Sequence, residues 1–153
     1  MDYEQACALN RAIRTIGMRH RTLAGAELSR IGLSVGQEIL IMELANLGPR
    51  TQVQLAAAAG CEAPTITSAV QKLEALGLVS RRPSTEDRRA TVVELTAKGE
   101  ALLGGLSAAW KHLAEATVAG LSRTGVEELI GALADLAESL ETATRDLDAP
   151  RPA

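Results

Sequence analysis

The stretch RRPSTEDRRATVVELT, residues 81–96, gathers four guanidinium groups, Arg81, Arg82, Arg88 and Arg89, around one short turn. Like charges so close repel one another unless carboxylates or an external anion answer them. Glu86 and Asp87 lie within the turn and can neutralise part of the cluster. Asp87 and Arg89 are near enough in sequence to pair and stiffen the turn, which leaves Arg88 at its tip. An arginine projecting from a hairpin tip suits a narrow, A·T-rich minor groove. Arg81 and Arg82 alternate along one strand, so only one of them can follow a DNA-facing side.

Immediately upstream, PTITSAVQKLEALG reads as a helix with Ile66, Val70 and Leu73 on its inner face. The opposite side then presents Thr65, Thr67, Ser68, Gln71 and Lys72. Short hydroxyls, an amide and an ammonium can hydrogen-bond base edges and phosphate oxygens from within a major groove. The same set also makes an ordinary solvated helix face, and the arginine-bearing hairpin beside it tips the balance towards DNA.

Other chemistries find little support. The chain has no glycine-rich phosphate loop, no GxSxG elbow and no histidine spaced for a nucleophile, so neither an enzyme nor a cofactor is expected. His20, His112, Cys7 and Cys61 lack metal-ligand spacing, and no metal site is predicted. His20 falls on the stripe of the first helix near Arg14, Met18 and Arg21, where cations could hold a ligand carboxylate or serve a dimer interface. Cys7 is a candidate redox thiol, whereas Cys61 reads as an apolar plug in the small core.

These residues must be positioned by helices. With Tyr3 and Trp110 as the only aromatics, the core falls to Leu, Ile, Val and Ala, a helix-favouring set. A first helix is predicted over about residues 4–30, with Leu9, Ile13, Ile16, His20 and Leu23 on one buried stripe, and Gly32 stops it. Ser34-x-x-Gln37 and Thr51-x-x-Gln54 are capping-box patterns opening a second and a third helix, and Gly48-Pro49 separates the two. The fourth helix starts at Pro64 and stops at Gly77. The period then changes to two: LVSRRP and TVVELT predict a hairpin. Thr96 caps a fifth helix with Leu102, Leu106, Ala109 and Leu113 inside, and Trp110 is expected between the last helices. A sixth helix opens near Thr124-x-x-Glu127, and Leu129, Leu133, Leu136 and Leu140 give it a heptad seam that needs a partner. Mainly helical, with a small hairpin wing, the predicted class is a winged helix-turn-helix plus a helical dimerisation region.

Charge follows the same division. Residues 1–49 balance, residues 50–99 carry seven basic against five acidic side chains, and residues 100–153 carry four against nine, giving −3 in all. The acidic last third leaves a protein-interaction scaffold as the rival reading. No stretch has the roughly 20 apolar residues of a membrane span, no signal peptide is evident, and two cysteines make no disulfide framework, so a cytoplasmic protein is expected.

Finally, GLVSRRPSTEDRRATVVELTAKG resembles the wing of the MarR/SlyA family of bacterial transcription regulators, through Gly77, Leu78, Val79, Arg81, Asp87, Arg89, Leu95, Thr96 and Gly99. PTITSAVQKLEALG resembles that family's recognition helix, and the resemblance extends over nearly the whole chain. It implies one MarR-like domain over 1–153, with 1–32 and 100–148 dimerising, 34–99 binding DNA, and 149–153 a disordered tail. It further implies a homodimer on a pseudo-palindromic operator, more often a repressor, released by a small phenolic or aromatic acid or, in some relatives, by oxidation of a first-helix cysteine such as Cys7. Ala63 and Ser68 stand where the family often has a basic residue, and Glu62 adds a negative charge. The recognition helix should therefore make fewer phosphate contacts, with more reliance on Arg81 and Arg88.

Overall fold

The computed structural model describes residues 1–84 and 90–148, without the side chains of Asp146 and Asp148. The predicted tail, 149–153, lies outside the described residues. Among the described residues, six helices and three strands follow in the order α1 (Tyr3–Ser29), α2 (Gln37–Leu47), β1 (Arg50–Thr51), α3 (Gln52–Ala59), α4 (Ala63–Ala75), β2 (Val79–Pro83), β3 (Thr91–Leu95), α5 (Ala97–Val118) and α6 (Val126–Asp148). The class is the predicted one, mainly helical with a winged helix-turn-helix. No described helix is long and apolar enough to cross a membrane.

The chain forms two compact units, residues 1–114 and 115–153. In the first, α2, α3 and α4 enclose a small aliphatic core. Ile41, Leu55, Val70, Leu73 and Val93 are completely buried there, each contributing roughly 1.5–3 kcal/mol from leaving water. Leu106 brings α5 onto this core, and Leu28 brings the end of α1. In the second unit α6 leaves Val126, Ile130, Leu133, Leu140 and Leu147 exposed along its apolar row.

Local starts and stops follow the chemistry of the sequence, with exceptions. Thr51 caps α3 as a full capping box, accepting from the Gln54 N–H while the Gln54 amide oxygen accepts from the Thr51 N–H. The Ser34 box instead closes a turn: the Ser34 N–H donates to Gln37 Oε1 at 2.8 Å, and α2 begins three residues later, behind Gly36 at φ +98°. Gly36 can adopt that left-handed conformation without a Cβ clash, and its N–H donates to the buried Glu38 carboxylate. Likewise α6 starts at Val126 rather than at the Thr124 box.

The sheet order is β1-β3-β2, antiparallel throughout. Its hairpin is the predicted one, but β1 was not legible: two residues after Gly48-Pro49 are too short to show a period. Two further expectations need correction. Leu9, Ile16 and His20 are exposed, and α1 buries Ala24 and Leu28 instead. Cys61 is exposed rather than a core plug, with Sγ 3.3 Å from the Ala59 carbonyl. Trp110 packs against the core of the first unit with its indole N–H donating to Met42 Sδ of α2, a partner that the sequence reading did not foresee.

Candidate nucleic-acid interface

Helix α4 is the centre of the candidate site. Glu62 precedes it without capping through its side chain, and Pro64 occupies its first turn, where a missing N–H costs nothing. At about 100° per residue, burial of Ile66, Val70 and Leu73 turns Ser68, Gln71 and Lys72 directly outward, and all three are exposed. Thr65 is exposed on one flank. Thr67, on the other, is half-buried, its hydroxyl 3.0 Å from the Ala63 carbonyl and 3.4 Å from Gln52 Oε1 of α3. The Thr67 donor is thus committed within the protein, and Thr67 helps set α4 on α3.

The wing is fastened beside this helix. Arg81 pairs across the sheet with Val93, and its guanidinium reaches the Glu74 carboxylate of α4, Nε–Oε2 2.8 Å. The Glu74 hydrogen bond, with its charge, raises the Arg81 pKa above the ordinary value. Arg82 donates from Nε to Glu94 at 3.3 Å on the next strand. Asp87, Arg88 and Arg89 lie outside the described residues.

The base of the wing contains machinery that the motif L-T-x-x-G did not explain by itself. Thr96 Oγ1 donates to the Gly77 carbonyl at 2.6 Å and accepts from the Gly99 N–H at 3.1 Å. Its backbone N–H donates to the Leu78 carbonyl. A Cβ at Gly99 would overlap that same Leu78 oxygen, so only glycine lets α5 approach the turn after α4. Lys98 adds a bond from Nζ to the Leu76 carbonyl at 2.7 Å, neutralising the negative end of α4. Gly77, at φ +72°, makes the turn itself. These contacts fix the recognition helix, the wing and α5 in one frame.

The candidate ligand residues Arg14, Met18, His20 and Arg21 are all exposed on α1, and Cys7 is half-buried near its start. Elsewhere, a cleft of about 480 Å³ opens between the start of α2 and α4, bordered by Val35, Ile39, Cys61, Ile66, Ala69 and Lys72. Among the described residues no cluster of His, Cys, Asp and Glu could hold a metal ion.

This frame has counterparts. The profile of the MarR family matches residues 33–91, from the turn before α2 to the start of β3. A probable transcriptional regulator from Pseudomonas aeruginosa is similar over 84% of this chain and 96% of its own, with 31% identity and a TM-score of 0.76. The chain belongs to the MarR family. It is accordingly a transcription regulator of that family. Two solved structures with lower identity share the MarR fold. A mutant MarR from E. coli complexed with operator DNA has 20% identity and a TM-score of 0.76, over 92% of this chain and 99% of its own. BpsR from Bordetella bronchiseptica, whose DNA binding is regulated by 6-hydroxynicotinic acid, has 20% identity and a TM-score of 0.74, over 86% and 98%.

Proposed function

We propose that the protein is a homodimeric, sequence-specific DNA-binding repressor. The observation that carries this reading is the exposed row Ser68, Gln71 and Lys72, held opposite a fully buried row on a helix braced by both α3 and the wing. A helix presented in this way can lie in a major groove with its amide and hydroxyls on base edges. Thr65 extends the row. Thr67 contributes only through its lone pairs, and Arg81 through whatever donors Glu74 leaves open. Arg88, outside the described residues, is the proposed minor-groove contact. The E. coli MarR mutant complexed with operator DNA supports DNA as the partner.

Dimerisation is assigned to residues 1–32 and 100–148, and DNA binding to residues 34–99. The exposed apolar residues Leu9 and Ile16 of α1, and Ile130, Leu133 and Leu140 of α6, support this division, because contiguous exposed apolar rows mark interaction surfaces. Twofold symmetry then sets two recognition helices on half-sites about one helical turn apart. A small phenolic or aromatic acid releases the DNA by changing that separation. The exposed Arg14, Met18, His20 and Arg21 are its candidate contacts, and the 6-hydroxynicotinic acid response of BpsR supports that ligand class. The site of action is the cytoplasm.

Replacing Ser68 and Gln71 together with alanine tests the reading. Anisotropy titrations should show operator affinity falling towards that for scrambled DNA, with the scrambled affinity little changed. Undiminished discrimination between the two DNAs would mean that this face is solvated surface.

A further inference from the structure

The strand that the sequence did not announce carries an arginine whose Nε has no hydrogen-bond partner. Arg50 lies in β1, half-buried beside β3, and its Nε is buried with no hydrogen-bond partner. A buried guanidinium N–H is destabilising unless something accepts from it. Next to it opens a small polar groove of about 270 Å³, lined chiefly by Arg50, Thr51, Gln54, Arg82 and Ser84. Strand register explains the assembly: Thr51 and Arg82 both pair with Val92, one from each side of β3. Two arginines 32 positions apart in sequence thereby line one groove.

The chemistry of the groove is that of an oxyanion site. Among the described residues no carboxylate lines it, and Glu94, the described acid that engages Arg82, stands outside the lining. The groove also sits at the N-terminal end of α3, where Thr51 is the cap and the helix presents its positive end. Its volume is suited to a tetrahedral anion with its water rather than to an aromatic acid. Its position between the start of α3 and the wing puts it alongside the elements that brace α4.

We propose that this groove holds a backbone phosphate of the bound DNA, with the guanidinium groups of Arg50 and Arg82, both in its lining, donating to its oxygens. The proposal rests on the DNA-binding reading given above. A phosphate gripped here carries no sequence information but fixes the register in which α4 meets the bases. It also supplies phosphate contacts that α4, with Ala63 and Ser68 in place of basic residues, does not.

The test is the salt dependence of binding to operator and scrambled DNA for the wild type, Arg50→Gln, Arg50→Lys and Arg82→Gln. Arg50→Gln should weaken both DNAs alike and lower the slope of log K against log salt by about one per protomer. Arg50→Lys should restore most of the slope. Arg82→Gln, which breaks only an exposed pair and so keeps the protein folded, should lower the slope in the same way. Unchanged slopes in glutamine variants that still bind DNA would overturn the groove assignment alone. A wild type that binds neither DNA would overturn the DNA-binding reading, and the assignment with it. Millimolar inorganic phosphate raising the melting temperature of the wild type but not of Arg50→Gln, with unchanged DNA slopes, would identify a site for free anions and overturn the phosphodiester assignment.

Discussion

Gly99→Ala should be the most damaging single-methyl substitution in the winged region. The added Cβ would overlap the Leu78 carbonyl oxygen and stand 3.1 Å from Leu95 Cδ2 and 3.2 Å from the Leu78 carbonyl carbon. Restoring ordinary contact requires α5 to retreat by on the order of 1 Å, because neither backbone partner can rotate away. Such a retreat strains two bonds that depend on the same approach, the Thr96 N–H to Leu78 O at 3.1 Å and the Thr96 hydroxyl to Gly77 O at 2.6 Å. Overpacking costs about 1–3 kcal/mol and each of the two weakened hydrogen bonds about 1 kcal/mol, so a loss of roughly 3–5 kcal/mol is expected. Against a typical stability of about 5–15 kcal/mol that is a large fraction. Urea unfolding followed by circular dichroism, at one fixed protein concentration, measures it. Gly104→Ala is the internal control: it lies in the same helix, exposed, with nothing within 4 Å of its Cβ position. It should stabilise by about 0.5–1 kcal/mol through helix propensity. Equal midpoints for Gly99→Ala and the wild type would refute the argument that this glycine is required by close approach.

Three further outcomes follow from particular contacts. Thr51→Ala removes the capping box of α3 and should cost about 1 kcal/mol in the same unfolding assay. Glu74→Gln removes the carboxylate that holds Arg81; a guanidinium freed beside the DNA should steepen the salt dependence of binding, and an unchanged slope would mean that Arg81 does not face phosphate. Leu133→Lys with Leu140→Lys places charge on the exposed row of α6 and should shift sedimentation from dimer to monomer, whereas an unaltered dimer would place the interface elsewhere.

Much of this architecture could be read from the residues because several signals agreed. Apolar spacing on α4, the Thr51 box, Pro64 and the change to period two at Val79 each pointed to the same winged helix-turn-helix. What could not be read depended on groups distant in sequence. Periodicity marked α1 as having an apolar stripe but did not say what covers it, and Leu9 and Ile16 remain open in the single chain. Strand alternation showed that Arg81 and Arg82 diverge, yet the partner of Arg81 is a carboxylate on a different element. Arg50 gave no signal, since its significance comes from a two-residue strand that exists only because β3 is there to pair with it. The glycine in L-T-x-x-G was recognisable as a motif, but its reason, the Leu78 carbonyl, is visible only in three dimensions.

The central claim is that the exposed row of α4 and the wing form a sequence-reading DNA surface. It is tested most directly by titrating fluorescent DNA from immediately upstream of the protein's own gene, beside scrambled DNA of equal length, at two salt concentrations. Binding at least a hundredfold tighter to the upstream DNA, persisting at the higher salt, is the predicted result. Equal, weak binding to both DNAs that vanishes with salt would contradict it, and would assign the arginines around the wing to a partner other than DNA.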